Sequence, residues 1–107
     1  MAATRAVTGA TFVDEVLQSE TPVLVDFWAD SCGPCRRVAP VLEEVASELG
    51  DRAKVVKVDI DANPDIARDY VVLSVPTLTV FKGGRPVRSV TGAQTKVDLV
   101  RLVESAL

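Results

Sequence analysis

The sequence predicts an α/β domain in which a central mixed β-sheet of about five strands is flanked by about four helices, with residues 1–107 forming one unit. Three observations carry that prediction. Apolar runs of strand length, "PVLVDFWA" and "AKVVKVDID", alternate with stretches of helical periodicity. A Gly83-Gly84 pair joins two further strand-like runs as a hairpin. The length is near the commonest domain size, and 48% hydrophobic with 25% charged residues is an ordinary globular composition.

The elements follow in order. "TRAV", Thr4 to Val7, is the first strand and the weakest signal. Thr11 reads as an N-cap with Asp14 three residues on, opening a short helix to about Gln18. "PVLVDFWA" is nearly continuous in apolar residues, which suits a central strand covered on both faces. Val38, Val41, Leu42, Val45, Ala46 and Leu49 recur at helical spacing, so an amphipathic helix is predicted from Pro34 to Leu49. Pro40 lies inside it and is expected to kink it by removing a backbone donor. "AKVVKVDID" is a second buried strand, and Asn63-Pro64 supplies the N-cap and first position of a helix over "PDIARDY". "PTLTVFK" and "RPVRSVT" are the two strands of the hairpin. Thr95 opens the last helix, with Leu99, Val100, Val103 and Leu107 on one face. Strands alternating with helices imply crossovers in the first half and an antiparallel hairpin at the end.

Composition excludes several function classes. A net charge of −3 with no basic block leaves no footprint for nucleic acid. "MAATRAVTGATF" lacks the apolar run of a signal peptide, and no stretch is long enough to span a bilayer. A cytoplasmic protein without membrane contact is expected, in a compartment where stable disulfides are rare. Histidine is absent, which removes His-based triads and imidazole metal ligands. A closed zinc site needs four ligands, and the two cysteines supply half of them. No metal is expected within one chain, and only a metal shared between two chains survives that count.

Those two cysteines, Cys32 and Cys35, stand in "WADSCGPCRRVAP". As a structural staple the pair is weak, because closing so short a loop gives roughly 2 kcal/mol against nearly 5 for about a hundred residues. A redox role leads instead, and position supports it. Cys32 falls where a central strand's carboxyl end turns into a helix, the sheet edge where α/β proteins tend to place their sites. Pro34 is tolerated in a first helical turn. Cys32 then stands at the helix mouth, where free N–H groups and the dipole favour thiolate over thiol. Cys35 lies on the same face, within disulfide reach and one turn deeper. Cys32 is therefore expected to face solvent and attack, and Cys35 to resolve. Asp26, set among Val23, Leu24, Val25, Phe27 and Trp28, is expected to be buried, a surface carboxylate being the alternative.

"VLVDFWADSCGPCRRVAPVLEEVA", "VKVDIDANPDIARDY", "VPTLTVF" and "VTGA" together resemble thioredoxin over essentially the whole chain. Cys-Gly-Pro-Cys with the downstream Val-Pro-Thr is specific, where a bare Cys-x-x-Cys is not. The resemblance implies the thioredoxin fold and a general protein-disulfide reductase acting as a monomer. Electrons would come from NADPH through a flavin-dependent thioredoxin reductase. Recipients in the family include ribonucleotide reductase, peroxiredoxins and methionine sulfoxide reductase. No bound cofactor is implied, because the dithiol carries both electrons. The residue matching Asp26 lies beneath the active site, where a raised pKa would let it take the proton from Cys35. Lys57 matches the lysine that partners this carboxylate, with a solvated strand lysine as the competing reading. Val75-Pro76 matches the family's cis-proline loop, whose backbone at Val75 pairs with extended substrate. Trp28, Gly33, Pro34, Gly92 and Ala93 would complete a flat apolar docking patch, although Gly92 also reads as a turn glycine.

Three positions depart from the family pattern. Ser31 replaces the usual tryptophan, Arg36 the usual lysine, and Val71 a common glycine. None touches the chemistry, but the lost aromatic removes apolar contact area beside the dithiol. A docking subunit with idle cysteines and an isomerase or oxidant are the other function classes. The latter suits a secreted form, against which the missing signal and the Gly-Pro dipeptide argue.

Overall fold

The side chains of Val23 to Phe27 are all buried, a pattern that demands cover on both faces and hydrogen-bonded neighbours on both edges. A computed structural model, which describes residues 4–107, supplies both. Its strands are β1 (Arg5–Ala6), β2 (Val23–Trp28), β3 (Lys54–Asp59), β4 (Thr77–Lys82) and β5 (Arg85–Thr91). Its helical segments are a π-helical turn (Val13–Leu17), α1 (Gly33–Leu49) followed by a 3-10 turn (Gly50–Arg52), α2 (Pro64–Asp69) and α3 (Lys96–Glu104). The sheet runs β1-β3-β2-β4-β5, with β1 and β2 parallel to β3, and β4 antiparallel to both β2 and β5. This is the mixed sheet with crossovers and a closing hairpin expected from the sequence.

Strand alternation divides the core into two layers. Leu24, Leu78 and Val80 meet Val38, Leu42, Val45, Leu99 and Val103 of α1 and α3. On the other face Val25, Phe27, Val58 and Phe81 meet Phe12, Val16 and Ile66 from the π-helical turn and α2. The rings of Phe12 and Tyr70 both pack on Phe81, at centroid distances of 5.7 and 5.1 Å. The hairpin turns at Gly83 and Gly84 with φ of +61° and +79°, the positive pair a tight two-residue turn requires. A Cβ at Gly84 would also come within 3.0 Å of the Leu17 carbonyl oxygen, so the hairpin closes on the π-helical turn only because no side chain is there.

Local expectations fail where another partner claims the side chain. Thr11 does not cap the first helical segment: its Oγ1 faces back and accepts from the Thr8 N–H at 3.0 Å. Asn63 holds the N-cap position of α2, yet its Oδ1 accepts from the Gly9 N–H at 2.9 Å and its Nδ2 donates to the Asp59 carbonyl. The first bond ties the chain before the π-helical turn to the chain before α2, and the second closes the turn between β3 and α2. The strand expected over "TRAV" is confined to Arg5–Ala6. Leu107 is half exposed, because α3 ends at Glu104 and Ala106 takes the buried place instead. Thr95 does cap α3, accepting from the Asp98 N–H at 3.1 Å. Helix α1 continues through Pro40, which lies on its exposed face.

Candidate active site

Alternation along β2 puts Asp26 on the same face as Leu24, towards α1. Only 2% of Asp26 is exposed, and its Oδ1 has no hydrogen-bond partner among the described residues. Burial favours the neutral acid and raises the pKa from 3.8 to about 7, with the Lys57 ammonium pulling the other way. Lys57 is the Cα partner of Asp26 in the parallel β2–β3 ladder and is itself half-buried. From this place the Lys57 charge acts on Asp26.

Beyond Trp28 the chain leaves the sheet and turns, the Cys32 N–H donating to the Ala29 carbonyl at 3.1 Å. Cys32 has extended backbone and is the N-cap of α1, its Sγ accepting from the Cys35 N–H at 3.1 Å. A sulfur therefore occupies the place where a capping oxygen usually stands, at the positive end of the helix dipole. Cys32 and Cys35 are joined as a disulfide with their Cα atoms 5.3 Å apart. The expectation that Cys32 alone faces solvent is corrected here. In the disulfide form 8% of Cys32 and 4% of Cys35 are exposed, since Trp28, Ile60 and Val75 close over both. The asymmetry is one of position. Cys32 caps the helix, whereas Cys35 lines a pocket of about 130 Å³ with Asp26, Lys57 and Trp28.

The neighbouring loops meet at this point. Trp28 and Val75 pack on the cluster of Ala29, Cys32 and Cys35, and the Val75–Pro76 peptide is cis. The Gly92 N–H donates to the Pro76 carbonyl at 2.9 Å, and Gly92 has φ of +85°. Gly92 is thus a turn glycine that also fastens the end of β5, with Ala93 after it, to the cis-proline loop. Gly33 and Pro34 form the first turn of α1 directly after Cys32. Ile60 completes the cluster and was missed in the sequence. Its signal was the end of β3: Asp59 is the Cα partner of Trp28, and the Ile60 N–H donates to the Trp28 carbonyl at 3.0 Å. Ser31 is exposed beside the disulfide, and Arg36 reaches back to donate to the Asp30 carbonyl at 2.8 Å.

A disulfide at a helix mouth, over a buried carboxylate and beside a cis-proline loop, can be compared with known proteins. The family model described as Thioredoxin matches residues 3–105. The chain belongs to the thioredoxin family. Among its relatives, the thioredoxin of Mycolicibacterium smegmatis is 55% identical over 107 residues, covering 98% of this chain and 96% of the relative. Thioredoxin 1 of Synechococcus elongatus is 51% identical over 107 residues, covering 100% of each. The bifunctional thioredoxin reductase/thioredoxin of Mycobacterium leprae is 54% identical over 95 residues, which are 89% of this chain and 21% of that protein. As a thioredoxin-family chain with the Cys-x-x-Cys pair in place, it is a protein-disulfide oxidoreductase. The thioredoxin family takes its electrons from thioredoxin reductase. Among the described residues no helix is long and apolar enough to cross a membrane.

Proposed function

We propose that Cys32 begins, and Cys35 completes, the reduction of disulfides in other proteins. The Cys32 thiolate attacks one substrate sulfur, forming a mixed disulfide and releasing the other substrate sulfur as a thiol. Cys35 then loses its proton to Asp26 and attacks the Cys32 sulfur. The remaining substrate thiol leaves, and the chain keeps the two-electron deficit as the Cys32–Cys35 disulfide. The observation that carries this reading is the N-cap position of the Cys32 sulfur, which an amide N–H and the helix dipole stabilise as an anion. Asp26 supports the second half. A carboxyl group with a pKa of about 7 can accept a proton and return it near neutral pH. Lys57 keeps that pKa from rising further.

Substrate docks as an extended segment along Val75 and Pro76, over the patch of Trp28, Gly33, Pro34, Gly92 and Ala93. A flavin-dependent thioredoxin reductase using NADPH re-reduces the pair, a partnership supported by the name of the fused Mycobacterium leprae relative. Recipients are of the ribonucleotide reductase, peroxiredoxin and methionine sulfoxide reductase classes. The chain acts as a cytoplasmic monomer with no resident cofactor or metal.

Insulin reduction tests the reading. With dithiothreitol as electron source, catalytic amounts of the chain should accelerate precipitation of the insulin B chain, and Cys32→Ser should abolish the acceleration. A wild-type rate no greater than that of dithiothreitol alone would leave the fold as a docking module with idle cysteines.

A further inference from the structure

Charge is spread unevenly along the chain. Between Asp69 and Asp98 it holds Lys82, Arg85, Arg88 and Lys96 and no acid. Lys96 is paired with Glu48 at 3.0 Å. Lys82, Arg85 and Arg88 are all exposed, and among the described residues none of them forms an ion pair.

Register puts these three on one face. Leu78 and Val80 point into the layer of α1 and α3, so Lys82, two residues on, points the same way. Arg85 is the Cα partner of Lys82 and Arg88 that of Val80, and partners across an antiparallel pair share a face. Arg88 bonds only its own neighbour, donating from Nη1 to the Val87 carbonyl at 2.8 Å. Beside them lies a groove of about 230 Å³, lined by Lys82, Val87, Arg88, Ser105, Ala106 and Leu107. Its apolar part is open, since Val87 is 37% and Leu107 50% exposed. The break in register at Val80 and Phe81 is a bulge of the kind that re-aims a side chain, and Val87 lines the groove next to Arg88. The dithiol is elsewhere. Strand β4 begins directly after the cis Val75–Pro76 peptide and ends at Lys82, so about 17 Å of strand separates the groove from the cis-proline loop.

We propose that this groove docks an acidic, extended segment of a partner protein, with carboxylates on Lys82 and Arg88 and an apolar side chain against Val87 and Leu107, while the dithiol stays free to react. Carboxylates two residues apart on an extended segment stand about 7 Å apart on one face, and Lys82 lies the same two residues along β4 from Val80, the partner of Arg88. A second copy of the chain would bring the same cations and be repelled. A membrane or a nucleic acid presents its charge over a wider area than three side chains. Without these three the net charge of −3 would be −6, so such a polyanion meets repulsion beyond the patch. A short acidic segment meets the cations alone. The docking is independent of the chemistry at Cys32.

The probe is the blocked peptide Gly-Glu-Ser-Glu-Ser-Leu-Gly, titrated into the isotope-labelled disulfide form and followed by backbone amide shifts. Shifts should be confined to the groove residues and Arg85, with affinity falling several-fold between about 20 and about 150 mM salt. Replacing both glutamates of the peptide by glutamine should weaken binding by several-fold to about twentyfold, because each exposed ion pair contributes at most about fivefold. That arm needs no variant of the chain. Lys82→Gln combined with Arg88→Gln should cause the same loss, with reduction of 5,5′-dithiobis(2-nitrobenzoate) unchanged as the sign of an intact fold. No shift up to about 10 mM peptide, shifts centred on Trp28 or Val75, or a loss below about twofold with the glutamine peptide would overturn the proposal. Phosphatidylserine vesicles or duplex DNA that bound this face more tightly than the peptide would overturn it as well, giving the patch to a membrane or a nucleic acid.

Discussion

Asp26 stands between Val25 and Phe27, both fully buried, and leaves water with them when the strand joins the sheet. Its carboxyl holds a proton up to about pH 7 in the folded chain, against a pKa of 3.8 in the open. The folded state therefore binds this proton more tightly than the unfolded state does. That stabilisation is complete below about pH 4 and is lost as pH rises through about 7. At about 1.4 kcal/mol per pKa unit, the buried charge then costs up to ~4 kcal/mol. Asp26→Asn cannot ionise, so in urea unfolding it should exceed wild-type stability above about pH 8 by ~2–4 kcal/mol, with the gap closing as pH falls to about 4. A difference that stays constant across pH would show that Asp26 is a structural hydrogen-bonding partner. This burial was legible in the sequence, because no strand can bury both neighbours of a residue and also leave the α1 side of a covered sheet open to water. The place of Lys57 was only half legible, since a solvated strand lysine competed until the β2–β3 register set it beside Asp26. The exposure of Leu73 was not legible at all. A leucine in a loop carries no periodicity, and only the turn at Val71 sets which way it points.

That turn belongs to the end of α2. The Val72 N–H bonds the Ala67 carbonyl at 2.9 Å and the Val71 N–H bonds the Arg68 carbonyl at 3.2 Å, the paired bonds of a Schellman cap. The cap places Val71 in the left-handed region with φ of +53°, where a β-branched residue is costly. Glycine would relieve roughly 1–2 kcal/mol of that strain and give back part of it as unfolded-chain entropy. Val71→Gly is accordingly expected to raise stability by about 1 kcal/mol, read as a higher urea midpoint with an unchanged slope. A lower midpoint would mean that the valine side chain makes contacts worth more than the strain. Elements differed in how far the sequence determined them. Helix α1 and strands β2, β3 and β4 have long apolar patterns that one register alone satisfies, and they appear where the pattern puts them, whereas β5, exposed along nearly its whole length, is placed by the Gly83-Gly84 turn. Short segments are held by whatever reaches them. Thr11 and Asn63 have capping chemistry, but Thr8 and Gly9 compete for it and win.

Across the whole molecule, two apolar layers clamp the sheet from both faces, and the functional groups gather at one end of it. Asp26 and Lys57 come from adjacent strands, Cys32 and Cys35 from the first turn of α1, and Val75 and Pro76 from the loop that enters β4. Elements distant in sequence thus fix two sulfurs in unequal places, one capping a helix and one lining the pocket over a buried acid. That inequality is the central claim, and trapping reads it directly. Cys35→Ser, reduced and mixed with oxidised insulin, should accumulate a mixed disulfide that mass mapping assigns to Cys32, because the thiolate at the helix mouth still attacks and nothing resolves the product. Cys32→Ser, treated identically, should trap little or none through Cys35. Equal trapping by the two variants, at equal rates, would contradict the account.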